Sequence, residues 1–193
     1  YVKVHLKTYS DMIEVYGFTE DEISMLEELM RPENLALLGG SGAGSFEKLT
    51  EEEIRTALGD ASGDVGTALS YALSKVGYPY SQELRDSGDY YDCSSLAYYA
   101  WKAAGVDISF GGSYSAAAQA QGLEQSGKSV PLEKLQPGDL IYFSYVHNGR
   151  YKNISHVAIY AGNGMIIEAA NESTGVVYRK LHSRGSIVTV CRP

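Results

Sequence analysis

The C-terminal part of the chain contains five short segments in which apolar and polar residues tend to alternate. This period of two is typical of β-strands, and Gly, Asn and Pro residues separate the segments. The linkers are too short for the crossovers of a dozen or more residues that parallel strands require. We therefore predict a five-stranded antiparallel sheet from LIYFSY (140–145), HVAIYA (156–161), MIIEAA (165–170), VVYRKL (176–181) and SIVTVC (186–191).

Helical patterns precede this predicted sheet. Residues 65–77 and 93–104 carry apolar side chains at helical spacing, and the run SAAAQAQ favours another short helix. Helices followed by an antiparallel sheet are typical of the α+β class. Nearer the N-terminus, the pattern predicts a short strand over 1–8, helices over 17–30 and about 50–58, and a Gly/Ser linker over 37–45.

The negative charge is concentrated at the N-terminal end. Residues 1–62 have a net charge of −8, whereas residues 63–193 are balanced. This difference in net charge predicts a small, acidic, mostly helical appendage over 1–62 and a separate domain over 63–193. An acidic chain is poorly suited to phosphate backbones, and no apolar run reaches the roughly 20 residues that cross a bilayer. We therefore expect neither nucleic-acid binding nor membrane insertion of this segment.

Cys93 is one of two cysteines and lies where a helix is predicted to begin. Asp92 is a strong N-cap residue, and Gly105 is typical of the position after a helix ends. At the first helical position, unpaired N–H groups and the helix dipole favour a thiolate, which is the nucleophilic form of cysteine. Cys93 is therefore a candidate nucleophile. A small packed side chain and a disulfide with Cys191 are the alternative interpretations.

His156 is the best candidate for a base beside Cys93 because it opens a predicted strand. If residues 162–164 form a hairpin loop, His156 and Glu168 lie on one face of the sheet as diagonal neighbours. The Glu168 carboxylate can then accept the imidazole N–H and orient the ring. The alternative for Glu168 is a solvated charge on an edge strand. We expect His147 and His182 to lie at the surface.

The ordered motifs PYSQ, YDCSSL, LQPGDLIYF and ISHVAIYAGNGMIIEA resemble those of the NlpC-type cell-wall peptidases, a family of the papain-like clan. The resemblance covers about residues 66–193. It implies a papain-like fold and cleavage of peptidoglycan stem peptides, usually between D-glutamate, through its γ-carboxyl, and diaminopimelate or lysine. It also implies that Cys93 is the nucleophile and His156 the general base, with no metal or organic cofactor. The third position, most often His in the family, is Glu168 here.

The resemblance also implies substrate contacts. Tyr80 matches the tyrosine that precedes the cysteine motif, and Asp92 and Ser94 match residues that bind the α-ammonium of an N-terminal L-alanine in some members. Asp92 as a helix cap alone is the alternative. Ser115 corresponds to part of an Arg-Thr-Ser motif that is only partly present. Residues 81–91 replace the usual aromatic and paired glycines, so we expect a different wall on this side of the cleft.

Three functions therefore stay open for the chain. The first is a thiol endopeptidase that acts on peptidoglycan stem peptides. The second is an N-acetylmuramoyl-L-alanine amidase or another acyltransferase on the same scaffold. The third is a non-catalytic wall-binding module whose cleft is blocked, with residues 1–62 as the candidate cover. Each implies a protein of the cell envelope or the extracellular space, and the resemblance allows further wall-targeting domains upstream.

Overall fold

The computed structural model describes residues 48–193, all of which belong to one compact unit. The strand expected over 1–8, the helix over 17–30 and the linker over 37–45 lie outside the described residues. Within 48–193, none of the helices has both the length and the apolar character that a bilayer crossing requires.

Within residues 48–193, local signals explain where three of the four α-helices begin and where the other one ends. Thr50 and Glu53 form a capping box at the first helix, Asp92 caps the third, and Ser115 caps the fourth by accepting the Ala118 N–H. The second helix ends before Gly77, which has a φ of 85°. The helices are α1 (Glu51–Leu58), α2 (Gly63–Ser74), α3 (Cys93–Ala103) and α4 (Ala116–Gln125).

The sheet contains five strands in the order β4-β3-β2-β1-β5, and every neighbouring pair is antiparallel. Its strands are β1 (Leu140–Phe143), β2 (His156–Gly162), β3 (Met165–Ala169), β4 (Val176–Lys180) and β5 (Ile187–Cys191). The predicted α+β class, with helices packed on a five-stranded antiparallel sheet, is confirmed. Each predicted strand is present, and the bounds differ by at most two residues.

The turn between β2 and β3 differs from the predicted three-residue loop. Ile159 pairs with Ile167, as expected, but Gly162 rather than Ala161 pairs with Met165, because the register shifts after Tyr160. The loop is therefore Asn163 and Gly164, with φ values of 53° and 75°. Two positive φ values suit the Asn-Gly turn that matches strand twist. The bulge leaves the pairing deeper in the hairpin unchanged, so His156 and Glu168 remain on one face.

Apolar side chains fill both faces of the sheet. The larger cluster lies between the sheet and the helices, and includes Leu69, Leu96, Trp101, Tyr142 and Ile159. The smaller cluster covers the opposite face and includes Ile141, Phe143, Ala158, Ile166 and Val190. Helix α3 contacts β2 and β3. The buried strands therefore provide a rigid base for the first residue of α3.

Residues 48–62 also contact this core. Ile54, Ala57 and Leu58 of α1 are partly buried against the larger cluster, and α1 contacts α2. The predicted division between 1–62 and 63–193 stays a prediction, but α1 packs with the helices that follow it.

Candidate active site

Cys93 is the first residue of α3, and Asp92 fixes the start of this helix. The Asp92 carboxylate accepts the Ser95 N–H at 2.7 Å, and Ser95 Oγ in turn accepts the Asp92 N–H at 2.9 Å. Because Cys93 is the first helical residue, its N–H has no acceptor within the helix. Cys93, which is partly exposed, therefore lies beside unpaired N–H groups at the positive end of the helix dipole.

His156 lies between Cys93 and Glu168. The Cys93 sulfur is one of the groups that raise the pKa of its ring, and its Nε2 is hydrogen-bonded to Glu168 Oε2. Since Nε2 takes the carboxylate, Nδ1 is the nitrogen left for the sulfur. Burial by itself lowers the pKa of His156, but the negative charges and hydrogen bonds of Cys93 and Glu168 raise it to about 10. The ring is thus held as an imidazolium.

Glu168 is almost completely buried, with 1% of its side chain exposed. Besides His156, its carboxylate binds Arg179 Nε at 2.7 Å and His182 Nε2 at 2.9 Å, both through Oε1. Burial alone raises the pKa of a carboxyl group, but the hydrogen bond and charge of His156, the hydrogen bond of His182 and the charge of Arg179 hold the pKa of Glu168 well below its usual range. The carboxylate is therefore ionised.

The structure corrects the expectation for His182. We predicted a surface residue, but its side chain is only 15% exposed, binds Glu168 and stacks on the Phe143 ring at 6.1 Å between centroids. The pattern missed this contact because the chain leaves β4 before His182 and turns at Ser183, whose φ is 50°. His147 is exposed, as predicted.

Arg179 was also missed, although the sequence held a signal for it. Glu168 pairs with Val177 in the β3–β4 ladder, so Arg179 lies two residues further along the same face. A diagonal pair of this kind is within reach of long side chains. A basic residue on the strand next to a buried carboxylate is a usable indicator of an ion pair.

Asp92 has a further partner besides the helix cap. Arg85 Nη1 binds Asp92 Oδ2 at 2.8 Å, and Ser94 Oγ donates to Oδ1 at 3.0 Å. The Arg85 side chain is 32% exposed, whereas that of Asp92 is 4% exposed. A cation from this chain therefore already neutralises the carboxylate that the resemblance assigns to a substrate ammonium.

Residues 81–91 take part in a small polar and aromatic cluster, and the different cleft wall expected there stays a prediction. The Asp86 carboxylate accepts the Tyr99 hydroxyl at 2.8 Å and also the Tyr114 hydroxyl. Arg85 lies over the Tyr114 ring at 4.7 Å, and the Tyr98 ring stacks on it at 4.6 Å. These contacts attach the segment to α3.

Tyr80 and Ser115 have separate surroundings. Tyr80 is half-buried, bridges to Tyr91 and accepts a hydrogen bond from Gln82 Nε2 at 3.2 Å. Burial raises the pKa of Tyr80, to which the charge of Cys93 also contributes. Ser115 is the N-cap of α4 and contacts Ser113 Oγ at 3.3 Å. Its observed contacts are those of a helix cap.

Cys93 and Cys191 are both free thiols. Cys191 is buried in β5, where burial raises the pKa of its thiol to about 11. The disulfide alternative is therefore wrong for this structure, and the Cys93 sulfur is available. A thiol, a hydrogen-bonded imidazole and a third group that orients the ring form the arrangement that nucleophilic acyl transfer requires.

The sequence matches the NlpC/P60 family over residues 77–192, which is more than half of the chain. The chain belongs to the NlpC/P60 family. The match contains Cys93, His156 and Glu168, together with Tyr80, Asp92 and Ser115. It begins after α2.

Among NlpC/P60 relatives, a Mycobacterium tuberculosis protein named "Probable endopeptidase" is 31% identical over 127 residues, which are 66% of this chain and 29% of the relative. The peptidoglycan DL-endopeptidase CwlO of Bacillus licheniformis is 36% identical over 86 residues, or 45% of this chain and 16% of the relative. The chain therefore spans less than a third of the length of these relatives.

Solved NlpC/P60 structures share the fold. An NlpC/P60 protein from Bacillus cereus superposes with a TM-score of 0.54 at 24% identity, covering 66% of this chain and 39% of that one. RipD from Mycobacterium tuberculosis, described as a non-catalytic NlpC/p60 domain protein, superposes with a TM-score of 0.53 at 21% identity, covering 68% and 98%. At these identities the likeness shows the fold alone.

Proposed function

We propose that this NlpC/P60 domain is a peptidoglycan hydrolase that cuts stem peptides with Cys93 as its nucleophile. The observation that carries the proposal is a cysteine at the first position of α3 together with His156, whose Nε2 is bound by the buried Glu168 carboxylate and whose pKa Cys93 and Glu168 both raise. The family match and the endopeptidase names of the relatives support it. Because the substrate is part of the cell wall, we place the protein at the cell envelope or outside the cell.

The bond that we propose joins D-glutamate, through its γ-carboxyl, to diaminopimelate or lysine. The Cys93 thiolate attacks the carbonyl carbon, and the oxyanion that forms accepts the N–H of Cys93. The His156 imidazolium donates its proton to the leaving amine as the carbon–nitrogen bond breaks, which leaves a thioester. Neutral His156 then takes a proton from water, and the hydroxide formed attacks the thioester to release the acid.

Glu168 has a defined part in this proposal. Its buried carboxylate holds the His156 Nε2–H and so fixes which ring nitrogen faces the sulfur. It also stabilises the imidazolium, since an opposite charge at hydrogen-bond distance favours the charged form. A glutamate in this place stabilises a positive ring more than the neutral histidine that the resemblance leads us to expect there.

Mass spectrometry of the products from defined muropeptides tests the function. We expect cleavage after D-glutamate, and loss of at least about a thousandfold in rate in Cys93→Ala, because removing a nucleophile leaves only binding and electrostatic effects. Release of whole stem peptides from the glycan would instead indicate the amidase. A wild-type rate no higher than that of Cys93→Ala, together with a thiol that iodoacetamide does not label, would indicate a non-catalytic module.

A further inference from the structure

Glu168 makes more contacts than orientation of one ring requires. Its two oxygens are divided: Oε2 binds His156, while Oε1 binds both Arg179 at 2.7 Å and His182 at 2.9 Å. We call Glu168, His156, Arg179 and His182 the Glu168 cluster. With both oxygens bound, the carboxylate is restrained about its terminal torsion, which is otherwise broad. The contacts of Oε1 with Arg179 and His182 therefore fix the direction in which Oε2 faces His156.

Both imidazoles of the cluster donate to Glu168. An ionised carboxylate only accepts hydrogen bonds, so Nε2 of both His156 and His182 must carry hydrogen. His182 Nδ1 lies 2.8 Å from Ser183 Oγ, so both nitrogens of the His182 ring are bound within the protein.

Arg179 balances the charge that the reaction requires. In the reactive form that the proposed mechanism uses, the Cys93 thiolate and the Glu168 carboxylate are negative, while the His156 imidazolium and Arg179 are positive. Two phenols also face this charge set: burial and the negative charge of Glu168 raise the pKa of Tyr145, and burial and the charge of Cys93 raise the pKa of Tyr80. Both stay neutral. Without Arg179, the largely buried set would carry an uncompensated negative charge.

Packing holds His182 in place as well as its hydrogen bonds do. Its ring lies 8° from parallel with the Phe143 ring, and Phe143 pairs with His156 between β1 and β2. The Phe143 and His156 rings are 5.8 Å apart. One phenyl ring therefore contacts both imidazoles, so the position of His182 is tied to that of His156.

From this geometry we propose that Arg179 and His182 are positioning residues of the Cys93 centre, which act by holding the second oxygen of Glu168. Neither touches the reacting atoms. The effect on hydrolysis rests on the function proposed above, whereas the effect on the His156 ring does not. The two can therefore be tested apart.

Two His182 variants separate the hydrogen bond from the packing. His182→Phe keeps a flat ring against Phe143 but removes the donor, and His182→Gln keeps an amide donor but removes the ring. We expect His182→Phe to lower kcat by roughly 10- to 100-fold with little change in KM, as outer-shell partners of a site commonly do. His182→Gln should lose less activity: its decrease in log kcat should be smaller than that of His182→Phe by at least roughly a third.

Nitrogen NMR of the imidazoles provides the readout that is independent of substrate. The chain has four histidines, so histidine-labelled protein gives a spectrum that can be assigned with single variants. In the wild type we expect His156 as an imidazolium at pH 7 and His182 with hydrogen on Nε2. In His182→Phe, the pH at which His156 loses its proton should fall, and Arg179→Met should change the same titration more than Arg179→Lys does.

Each outcome decides between the alternatives. A His156 titration that is unchanged in both His182→Phe and Arg179→Met overturns the proposal, and so do equal losses of kcat in His182→Phe and His182→Gln, which would indicate packing alone. If wild-type protein cleaves no muropeptide while the NMR shifts occur, the positioning holds and the proposed function fails. Circular dichroism and the spectra of the unsubstituted histidines verify that each variant is folded.

Discussion

Both oxygens of the Asp92 carboxylate are bound, one by the helix cap and Ser94 and the other by Arg85. This differs from a carboxylate that is open to a substrate ammonium. A guanidinium already in place at 2.8 Å competes with a second cation, through occupation of the oxygen and through charge repulsion. At the residue scale, Arg85 is therefore a candidate determinant of which end of a stem peptide is accepted near Cys93.

We predict that Arg85→Ala increases the preference for stem peptides with a free α-ammonium. Removing the guanidinium frees a buried carboxylate, and a hydrogen bond to a charged group contributes about 1.5–3 kcal/mol, which corresponds to a roughly 10-fold or greater change in relative kcat/KM. The measurement compares one stem peptide with its N-acetylated form in the wild type and the variant.

Arg55→Ala is the matched control for Arg85→Ala. Arg55 is on α1, its side chain is 81% exposed, and its only described ionic partner is Glu52, at 4.0 Å. Its substitution should leave the ratio of the two rates unchanged. A ratio that is also unchanged in Arg85→Ala would mean that Asp92 does not meet the substrate amine.

At the scale of elements, the β2–β3 hairpin connects the turn chemistry to the site. Gly164 donates its N–H to the Tyr160 hydroxyl at 3.0 Å, and its carbonyl accepts from Leu181 at 2.7 Å. The two-residue turn thus sets the register that places His156 and Glu168 on one face, and it also contacts the chain just after β4. A change in this turn affects the stability of the hairpin before it affects the chemistry.

Gly164→Ala should lower the free energy of unfolding by about 1–2 kcal/mol, because a side chain is disfavoured at a φ of 75°. Gly185→Ala is the control: an added Cβ at Gly185 also meets open space, but its φ is not in the left-handed region. Urea unfolding of both variants measures the difference. An equal loss in the two would show that the backbone of Gly164 is not the cause. We expect kcat of folded Gly164→Ala to stay near that of the wild type.

Local signals were sufficient to predict much of the centre. These signals depend on neighbours close in sequence: the Asp92 cap, the helix end at Gly105 and the alternation in 156–170. The start of α3 and the shared face of His156 and Glu168 could therefore be predicted from the sequence. The bulge after Tyr160 could not, because a three-residue loop and a two-residue turn with a bulge satisfy the same apolar pattern.

The remaining parts of the Glu168 cluster depend on contacts that a single-strand pattern does not contain. Arg179 needs the β3–β4 register, which the strand predictions would have allowed. His182 needs the path of the chain after β4, where the left-handed Ser183 turns the ring back toward Glu168. Arg85 lies in an irregular segment, whose contacts come from tertiary packing rather than from periodicity.

At the scale of the whole molecule, the buried charges make stability depend on pH. The pKa of Glu168 lies below its usual 4.5, so its stabilisation is present above that pH and is lost as the pH falls toward the lower value. The pKa of His156 is raised from 6.5 to about 10, so its stabilisation is complete below 6.5 and is lost as the pH rises toward 10. The combined contribution is greatest between about pH 4.5 and 6.5.

We therefore predict that Glu168→Gln is destabilised most at pH 5.5. Removing one partner of a buried ion pair costs about 3 kcal/mol or more, and the difference from the wild type should shrink both at pH 3 and near pH 10. Urea unfolding at the three pH values measures it. A difference that is constant with pH would contradict the charged state assigned to Glu168 and His156.

The link between Arg85 and Asp92 has a practical consequence for engineering. Segment 81–91 supplies the counter-ion for a carboxylate next to Cys93, so transplanting the corresponding loop from another NlpC/P60 protein would remove the cation that pairs with that carboxylate. A chimera designed to acquire a new substrate range should exchange the loop and residue 92 together, or build a replacement cation into the donor sequence.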